Sequence, residues 1–203
     1  NKELIAAHGG GTQLMPYLHL PIQSGSDDLL KKMNRQHTAE DYLKVIEAVR
    51  DVRPDIALSS DFIIGHPGEC DRDFEKTLQL IEIVGFAQAY SFKYSPRPGT
   101  PASNISKQIP EDIKSVRLEI LQNLLNKQQK EFNVRFLGES VPVLFDRKGK
   151  LPGQIAGRSP HMQAVHVNCR EEDVDKYFGR IVNVRITEAF SKSLTGTIEH
   201  TTV

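Results

Sequence analysis

The sequence predicts an α/β chain in two parts: a run of alternating strands and helices, then a small all-β barrel. Three observations predict it. Over residues 1–104, apolar runs ending in small or polar residues alternate with amphipathic stretches, the pattern of parallel strands joined by crossover helices. A long helical pattern then runs from Pro110 to about Phe136. Beyond Gly138, short strand-like runs are parted by Gly, Pro and charged turns, as in a small antiparallel barrel.

Residues 14–22 are apolar enough for a buried strand. Ser26-Asp-Asp offers a helix cap, and Leu29, Leu30 and Met33 a short apolar face. Thr38-Ala-Glu-Asp opens a second helix, along which Tyr42, Leu43, Ile46 and Val49 recur at helical spacing until Pro54 stops it. Residues 56–65 are the next strand. Glu69 to Val84 reads as a helix with Phe74, Leu78, Leu80 and Ile81 inward and Gly85 at its end. Residues 87–94 form a further strand, and Pro96-Arg-Pro-Gly-Thr-Pro101 breaks the pattern. In the long helix Ile113, Val116, Ile120, Leu121, Leu124 and Leu125 are the expected packing face. Residues 140–145, 154–157, 163–168, 181–189 and 193–199 are the five barrel strands. The expected divisions are 1–104 for the first part, 105–137 for the long helix and linker, and 138–203 for the barrel.

At 203 residues the chain suits one or two domains, and 38% hydrophobic with 26% charged residues excludes a disordered polypeptide. No apolar run approaches the ~20 residues that cross a bilayer, and the start carries no secretory signal. The opening Asn1-Lys-Glu-Leu-Ile, without Met, reads as the interior of a larger protein. Two cysteines, Cys70 and Cys169, exclude a disulfide framework, a four-Cys zinc site and a self-contained cubane cluster. They read as free thiols in a reducing cytosol. His161 and His166 lack the neighbours a metal site needs. Net charge is zero, so no whole-chain basic signature for nucleic acid exists. Residues 105–203, with 15 basic against 12 acidic side chains, are mildly basic and compatible with RNA.

Two strand ends carry the candidate site. Leu18-His-Leu-Pro-Ile-Gln-Ser-Gly-Ser26 ends in Gln23 and Ser24, and Asp61-Phe-Ile-Ile-Gly-His-Pro-Gly-Glu69 begins at Asp61. Side chains leaving the carboxyl ends of adjacent parallel strands converge on one site. There Gln23 and Asp61 are placed to hydrogen-bond ribose hydroxyls. Arg35, twelve residues beyond Gln23, is suited to pair with a carboxylate through its planar fork. The alternatives are a capped turn at Gln23–Ser26, an ion pair of Arg35 with Asp27 or Asp28, and a tight turn at Gly65-His-Pro-Gly68.

This order of segments resembles the second half of a radical S-adenosylmethionine (SAM) barrel, and Tyr94-Ser-Pro-Arg-Pro-Gly-Thr resembles the methylthiotransferases that act on tRNA. The Gln23–Arg35 spacing is also similar to a pair in the radical SAM coproporphyrinogen oxidases, where the Gln meets the ribose and the Arg the methionyl carboxylate. The resemblance implies a carboxyl-terminal fragment: a partial radical SAM (β/α) barrel followed by a TRAM domain, a small OB-like RNA-binding barrel. It implies a SAM site of Gln23, Ser24, Arg35, Asp61, Ile63 and Gly65, with the backbone of Ile63 to Gly65 along the adenine. His66 and Cys70 depart from the usual Phe and Thr of that family and read as variations of the turn. Gly157 to His166 and Val184 to Leu194 resemble the TRAM module. There Arg158, Arg185 and Lys192 are expected to meet phosphates and His161 to stack on a base. Arg97 is expected to bind substrate phosphate or a SAM group, or to close the barrel mouth with an ion pair.

The whole enzyme implied adds a methylthio group to C2 of N6-isopentenyladenosine next to the anticodon. Its cofactors are SAM and two [4Fe-4S] clusters with ligands outside this chain, and its partners are the tRNA anticodon stem-loop and a reductant such as flavodoxin or ferredoxin. The expected setting is cytoplasmic, away from membranes, and the isolated fragment is expected to be inactive. The alternatives are a ribosomal-protein methylthiotransferase, a threonylcarbamoyladenosine-tRNA methylthiotransferase, and a non-catalytic RNA-binding fragment.

Overall fold

The computed structural model describes residues 2–10 and 13–199. They divide into two compact units, one built on Leu18–Leu125 with the helix before it, the other on the described residues from Asn126 onward.

The first unit holds a three-stranded sheet in the order β1-β2-β3, made of β1 (Tyr17–His19), β2 (Ala57–Ile64) and β3 (Gln88–Lys93). β2 and β3 run parallel, with Asp61 beside Tyr90 and Ile63 beside Phe92. The helices are α1 (Lys2–Gly10), α2 (Asp27–Lys32), α3 (Ala39–Val52), α4 (Asp71–Val84) and α5 (Glu111–Val134), which continues into the second unit. The strand expected over residues 14–22 is shorter than its apolar run. Pro21 cannot donate to a ladder, so pairing resumes only at an isolated parallel bridge from Gln23 to Phe62.

The caps explain where the helices begin. Thr38 and Asp41 form a reciprocal capping box on α3, as the sequence implied. Ser26 occupies the cap position of α2, but its hydroxyl donates instead to Asp73 of α4 at 2.6 Å. Gly85, in the left-handed conformation at φ 61°, ends α4. The core gathers Leu30, Tyr42, Ile46, Leu58, Phe62, Ile64, Ile81, Phe86, Leu121 and Leu125. The Tyr42 hydroxyl donates to the Leu20 carbonyl and ties α3 to the end of β1; burial pushes its pKa up to about 12.

One expectation about packing is corrected. Ile113, Val116 and Ile120 of α5 are 41%, 57% and 45% exposed, whereas Arg117 between them is buried. On α4, Leu78 is half-buried and packs against the core as expected, but Asp73 and Thr77 are buried too, because the loop Ser24–Ser26 packs on them. Gly25 is required there: a Cβ on it would come within 2.4 Å of the Lys76 carbonyl. The backbone that approaches this glycine is that of α4.

The second unit is a closed five-stranded barrel in the order β4-β5-β6-β8-β7, from β4 (Ser140–Lys148), β5 (Gln154–Arg158), β6 (Ala164–Asn168), β7 (Ile181–Ala189) and β8 (Leu194–Ile198). Four strand pairs are antiparallel, and β6 with β8 is parallel. That parallel pair closes the barrel and removes the open edges. Val143, Phe145, Ile155, Val165, Val184, Ile186 and Leu194 fill its interior by strand alternation. A 3₁₀ turn, Glu171–Asp173, and the short α6 (Val174–Tyr177) occupy the long connection before β7.

Candidate functional site

The site grows from the alternation of β2. Leu58, Phe62 and Ile64 face the helices and the core, so Ser59, Asp61 and Ile63 face the other way. Register carries that face across to Tyr90 and Phe92 of β3, which stand 47% and 54% exposed. On the β1 side, His19 joins it: Nδ1 lies 3.0 Å from the Ser59 hydroxyl, Nε2 3.7 Å from the Asp61 carboxylate, and the ring meets Tyr90 edge-on at 6.4 Å. The result is a sheet face with one accessible carboxylate, one imidazole and two aromatic rings.

Gln23 is fixed against this face by its backbone. Its N–H donates to the Asp61 carbonyl at 3.0 Å, and its carbonyl accepts from the Ile63 N–H at 3.0 Å. It holds φ 79°, a left-handed conformation that a non-glycine residue rarely keeps unless its surroundings impose it. The structure thus brings Gln23, Asp61 and Ile63 together.

Gly65 follows directly at the end of β2 with φ 76°, and its N–H donates to Glu69 Oε2 at 2.8 Å. A Cβ on Gly65 would fall 2.2 Å from Lys114 Cγ, so the glycine makes room for that lysine stem. The Ile64 carbonyl accepts from the Tyr94 N–H at 2.7 Å. The N–H groups of Ile63 and Gly65 are therefore committed within the protein.

Ser24 and Arg35 lie apart from that face. The Ser24 hydroxyl is buried, 3.3 Å from the Thr77 hydroxyl, and accepts from the Ser26 N–H at 3.2 Å. Its side chain is occupied in packing the loop on α4. Arg35 sits on the exposed turn after α2, where its N–H closes the helix on the Leu30 carbonyl with Asn34 at φ 57°. The alternative ion pair of Arg35 with Asp27 or Asp28 is not formed: the Asp27 carboxylate accepts from the Ala39 N–H at 2.7 Å, and the Arg35 guanidinium has no partner among the described residues.

Behind the loop, Glu69 and Arg117 form a buried pair at 2.7 Å, and Arg117 also reaches the exposed Asp71 at 2.6 Å. Burial pushes the Glu69 carboxyl above its ordinary range against the opposing pull of Gly65 N–H and Arg117. His66 is buried, its Nδ1 3.1 Å from the Pro67 carbonyl and its ring 5.2 Å from that of Tyr94; burial lowers its pKa. Sequence reasoning missed His19, Tyr90 and Phe92. Counting by two from Asp61 points to the right face of β2, but only the register with β1 and β3 brings the other residues beside it.

Among the other expected contacts, Arg97 is exposed on the loop after β3, its carbonyl accepting from the Thr100 N–H and hydroxyl. In the barrel unit Arg158 donates to the Met162 carbonyl at 3.1 Å. His161 does not stand free to stack on a base: its ring packs with Phe136 at 5.0 Å and Phe132 at 5.8 Å. Arg185 is held by Glu199 at 2.6 Å and by the Gly138 carbonyl at 2.7 Å. Lys192 is exposed without a partner among the described residues. A buried chain of hydrogen bonds joins the loops that carry these residues. Ser159 donates to Gln163 at 2.8 Å, Gln163 to Asn133 at 2.9 Å, and Asn133 to the carbonyls of Phe190 and Ser191 at 2.8 and 3.3 Å.

Cys70 and Cys169 are free thiols in different units. Among the described residues no group of three or more His, Cys, Asp or Glu is placed to hold a metal ion, and no helix is long and apolar enough to cross a membrane.

With this geometry in place, comparison with known proteins is informative. Residues 3–81 match the radical SAM superfamily and residues 134–198 match the TRAM domain. The chain is 54% identical over 201 residues to a tRNA-2-methylthio-N(6)-dimethylallyladenosine synthase of Ehrlichia ruminantium (strain Gardel), an alignment covering 99% of this chain and 45% of the relative. A synthase of the same name from Wolbachia pipientis wMel is 52% identical over 201 residues, 98% of this chain and 45% of the relative. The chain spans about half the length of the curated relatives it matches.

Proposed function

We propose that this chain, which joins a radical SAM superfamily segment to a TRAM domain, is the SAM-facing and RNA-binding part of a tRNA methylthiotransferase. In this reading the whole enzyme adds a methylthio group to C2 of N6-isopentenyladenosine beside the anticodon; its relatives are named for a tRNA 2-methylthio-N(6)-dimethylallyladenosine product. Its other partner is a small electron-transfer protein.

One observation carries the reading: the Gln23 backbone and the His19 ring both meet Asp61 of β2, beside the exposed rings of Tyr90 and Phe92. That face fits SAM. The Asp61 carboxylate accepts from ribose hydroxyls, and His19 orients it from the side. The Gln23 amide adds a second polar contact. Arg35, without a partner among the described residues, pairs with the methionyl carboxylate. Since the Ile63 and Gly65 N–H groups are committed, Ile63 serves the adenine through its side chain. Tyr90 and Phe92 lie under bound ligand and keep water away. Ser24 supports this site through packing. Bound SAM supplies the methyl group and the one-electron chemistry. The described residues offer no thiolate set that fits an iron–sulfur cluster, so the clusters of the whole enzyme take ligands outside this chain.

The barrel unit holds the tRNA by shape and phosphate contacts, with Lys192 and Arg158 presented on loops fixed by the Asn133 network. His161 contributes as a member of its ring cluster, Arg185 is a secondary contact, and Arg97 reaches substrate phosphate. The test is anaerobic turnover by the complete, cluster-loaded protein with SAM and isopentenylated tRNA, read by nucleoside mass spectrometry. A methylthio product on that adenosine is expected. Product on a ribosomal protein or on threonylcarbamoyladenosine instead would reassign the substrate.

A further inference from the structure

Some cations of this chain are paired: Lys44, Lys93, Lys114, Arg117, Lys148, Arg170 and Arg185 each meet a carboxylate. Others gather without such partners around one open cleft of about 470 Å³. Lys31 and Lys32 line it from the last turn of α2, and Arg72 and Lys76 from the first turns of α4. Lys31, Arg72 and Lys76 have no partner among the described residues, and Lys32 reaches only the Gly68 carbonyl at 3.4 Å.

The cleft has two acids, and one is already committed. The Asp73 carboxylate is 7% exposed and accepts from the Ser26 hydroxyl at 2.6 Å, the Cys70 N–H at 3.0 Å and the Cys70 thiol at 3.1 Å. These donors hold its charge inward, and Lys32 is the one lysine that acts on it. Asp28 and Asp73 are the two acids set against four cations. Like charges held together in this way repel, and an anion in the cleft relieves that repulsion.

We infer that this cleft binds backbone phosphates of an RNA strand, giving the first unit its own footing on the substrate. The inference rests on the reading of the chain as part of an RNA-modifying enzyme. Two features favour a strand over a small anion. The cleft is open, and its donors are long exposed side chains rather than buried groups closed around one ligand. Arg72 and Lys76 are four residues apart on one helix face, roughly 6 Å between their Cβ atoms, so they meet separate phosphates in succession. Lys32 also reaches the Gly68 carbonyl in the loop that follows β2.

The experiment uses the whole chain, an anticodon stem-loop RNA, and filter retention across a salt series. Alkylation of Cys70, which lines the cleft, is followed in parallel by peptide mass spectrometry. In K31A/R72A/K76A, affinity at low salt should fall about tenfold, and the slope of log affinity against log salt should become shallower by about two, as losing three phosphate contacts implies. The charge-keeping variant K31R/R72K/K76R should retain both. RNA should slow Cys70 alkylation in the parent but not in the alanine variant, with thermal unfolding unchanged.

RNA binding by the parent with affinity and slope unchanged in the alanine variant overturns the cleft while leaving the RNA-binding reading intact. Protection of Cys70 by inorganic phosphate but not by RNA overturns it in favour of a small-anion site. Failure of the parent to retain RNA at low salt overturns both.

Discussion

Glu69 and Arg117 stand 48 residues apart in the chain, yet their side chains meet at 2.7 Å in the core of the first unit. The same carboxylate oxygen accepts from the Gly65 N–H, so this pair fixes the loop at the end of β2 to α5. Arg117 also lies over the Phe74 ring at 5.6 Å, packing its stem as well as its charge.

Arg117→Ala should therefore cost about 3 kcal/mol, because it strands a buried carboxylate. Burial already raises the Glu69 pKa above its ordinary 4.5. A raised carboxyl contributes fully to stability below 4.5 and loses that contribution as pH climbs through its folded value. Without Arg117 the loss grows, so the gap between variant and parent should widen above pH 4.5. Adding Glu69→Gln should recover part of it. Urea unfolding at several pH values checks both statements.

Ser26→Ala should lower stability by about 2 kcal/mol at neutral pH, since a buried hydroxyl donating to a charged carboxylate is lost. Burial opposes ionisation of Asp73, but Ser26 and the Cys70 amide and thiol prevail and hold its pKa below 3.8. A depressed carboxylate stabilises above 3.8, and the contribution disappears as pH falls through the folded value. The penalty should thus shrink below pH 3.8, measured by denaturant titration on both sides of it.

Asn133→Leu should cost about 2 kcal/mol and weaken RNA binding as well, because it leaves the part-buried Phe190 and Ser191 carbonyls and the buried Gln163 amide unpaired. The signature is faster amide exchange in the loop carrying Lys192. Stability loss with unchanged exchange there would show that the network does not hold the loop.

Within the barrel unit, Lys192→Ala should flatten the salt dependence of tRNA binding more than Arg185→Ala. Lys192 has no partner among the described residues, whereas Arg185 already has Glu199 and the Gly138 carbonyl. Filter retention of substrate and non-substrate tRNAs across a salt series checks this, with similar losses expected for both.

Much of this architecture is legible in the sequence. The five barrel strands lie within three residues of the expected bounds, and β7 matches at both ends, because alternation and turn residues are local signals. Thr38 and Asp41 announce α3 by the same logic. Gln23 and Asp61 are readable as strand-end residues, and the structure places them in backbone contact. What stays hidden depends on partners distant in sequence. Helical periodicity puts Val116 and Ile120 inward on α5, but the ion pair with Glu69 turns Arg117 inward instead. His19 and Tyr90 become site residues only through strand register. Ser24 reads as a ligand contact until α4 is seen to supply its partner.

The central claim is that the face bearing Asp61, together with Arg35, holds SAM. Calorimetric titration of SAM into the complete cluster-loaded protein tests it most directly, comparing the parent with Asp61→Ala and Arg35→Ala. Each variant should bind about tenfold or more weakly, a loss of roughly 1.5–3 kcal/mol for one hydrogen bond to a charged group, with iron content unchanged. Parent-like SAM affinity in both variants would contradict the account.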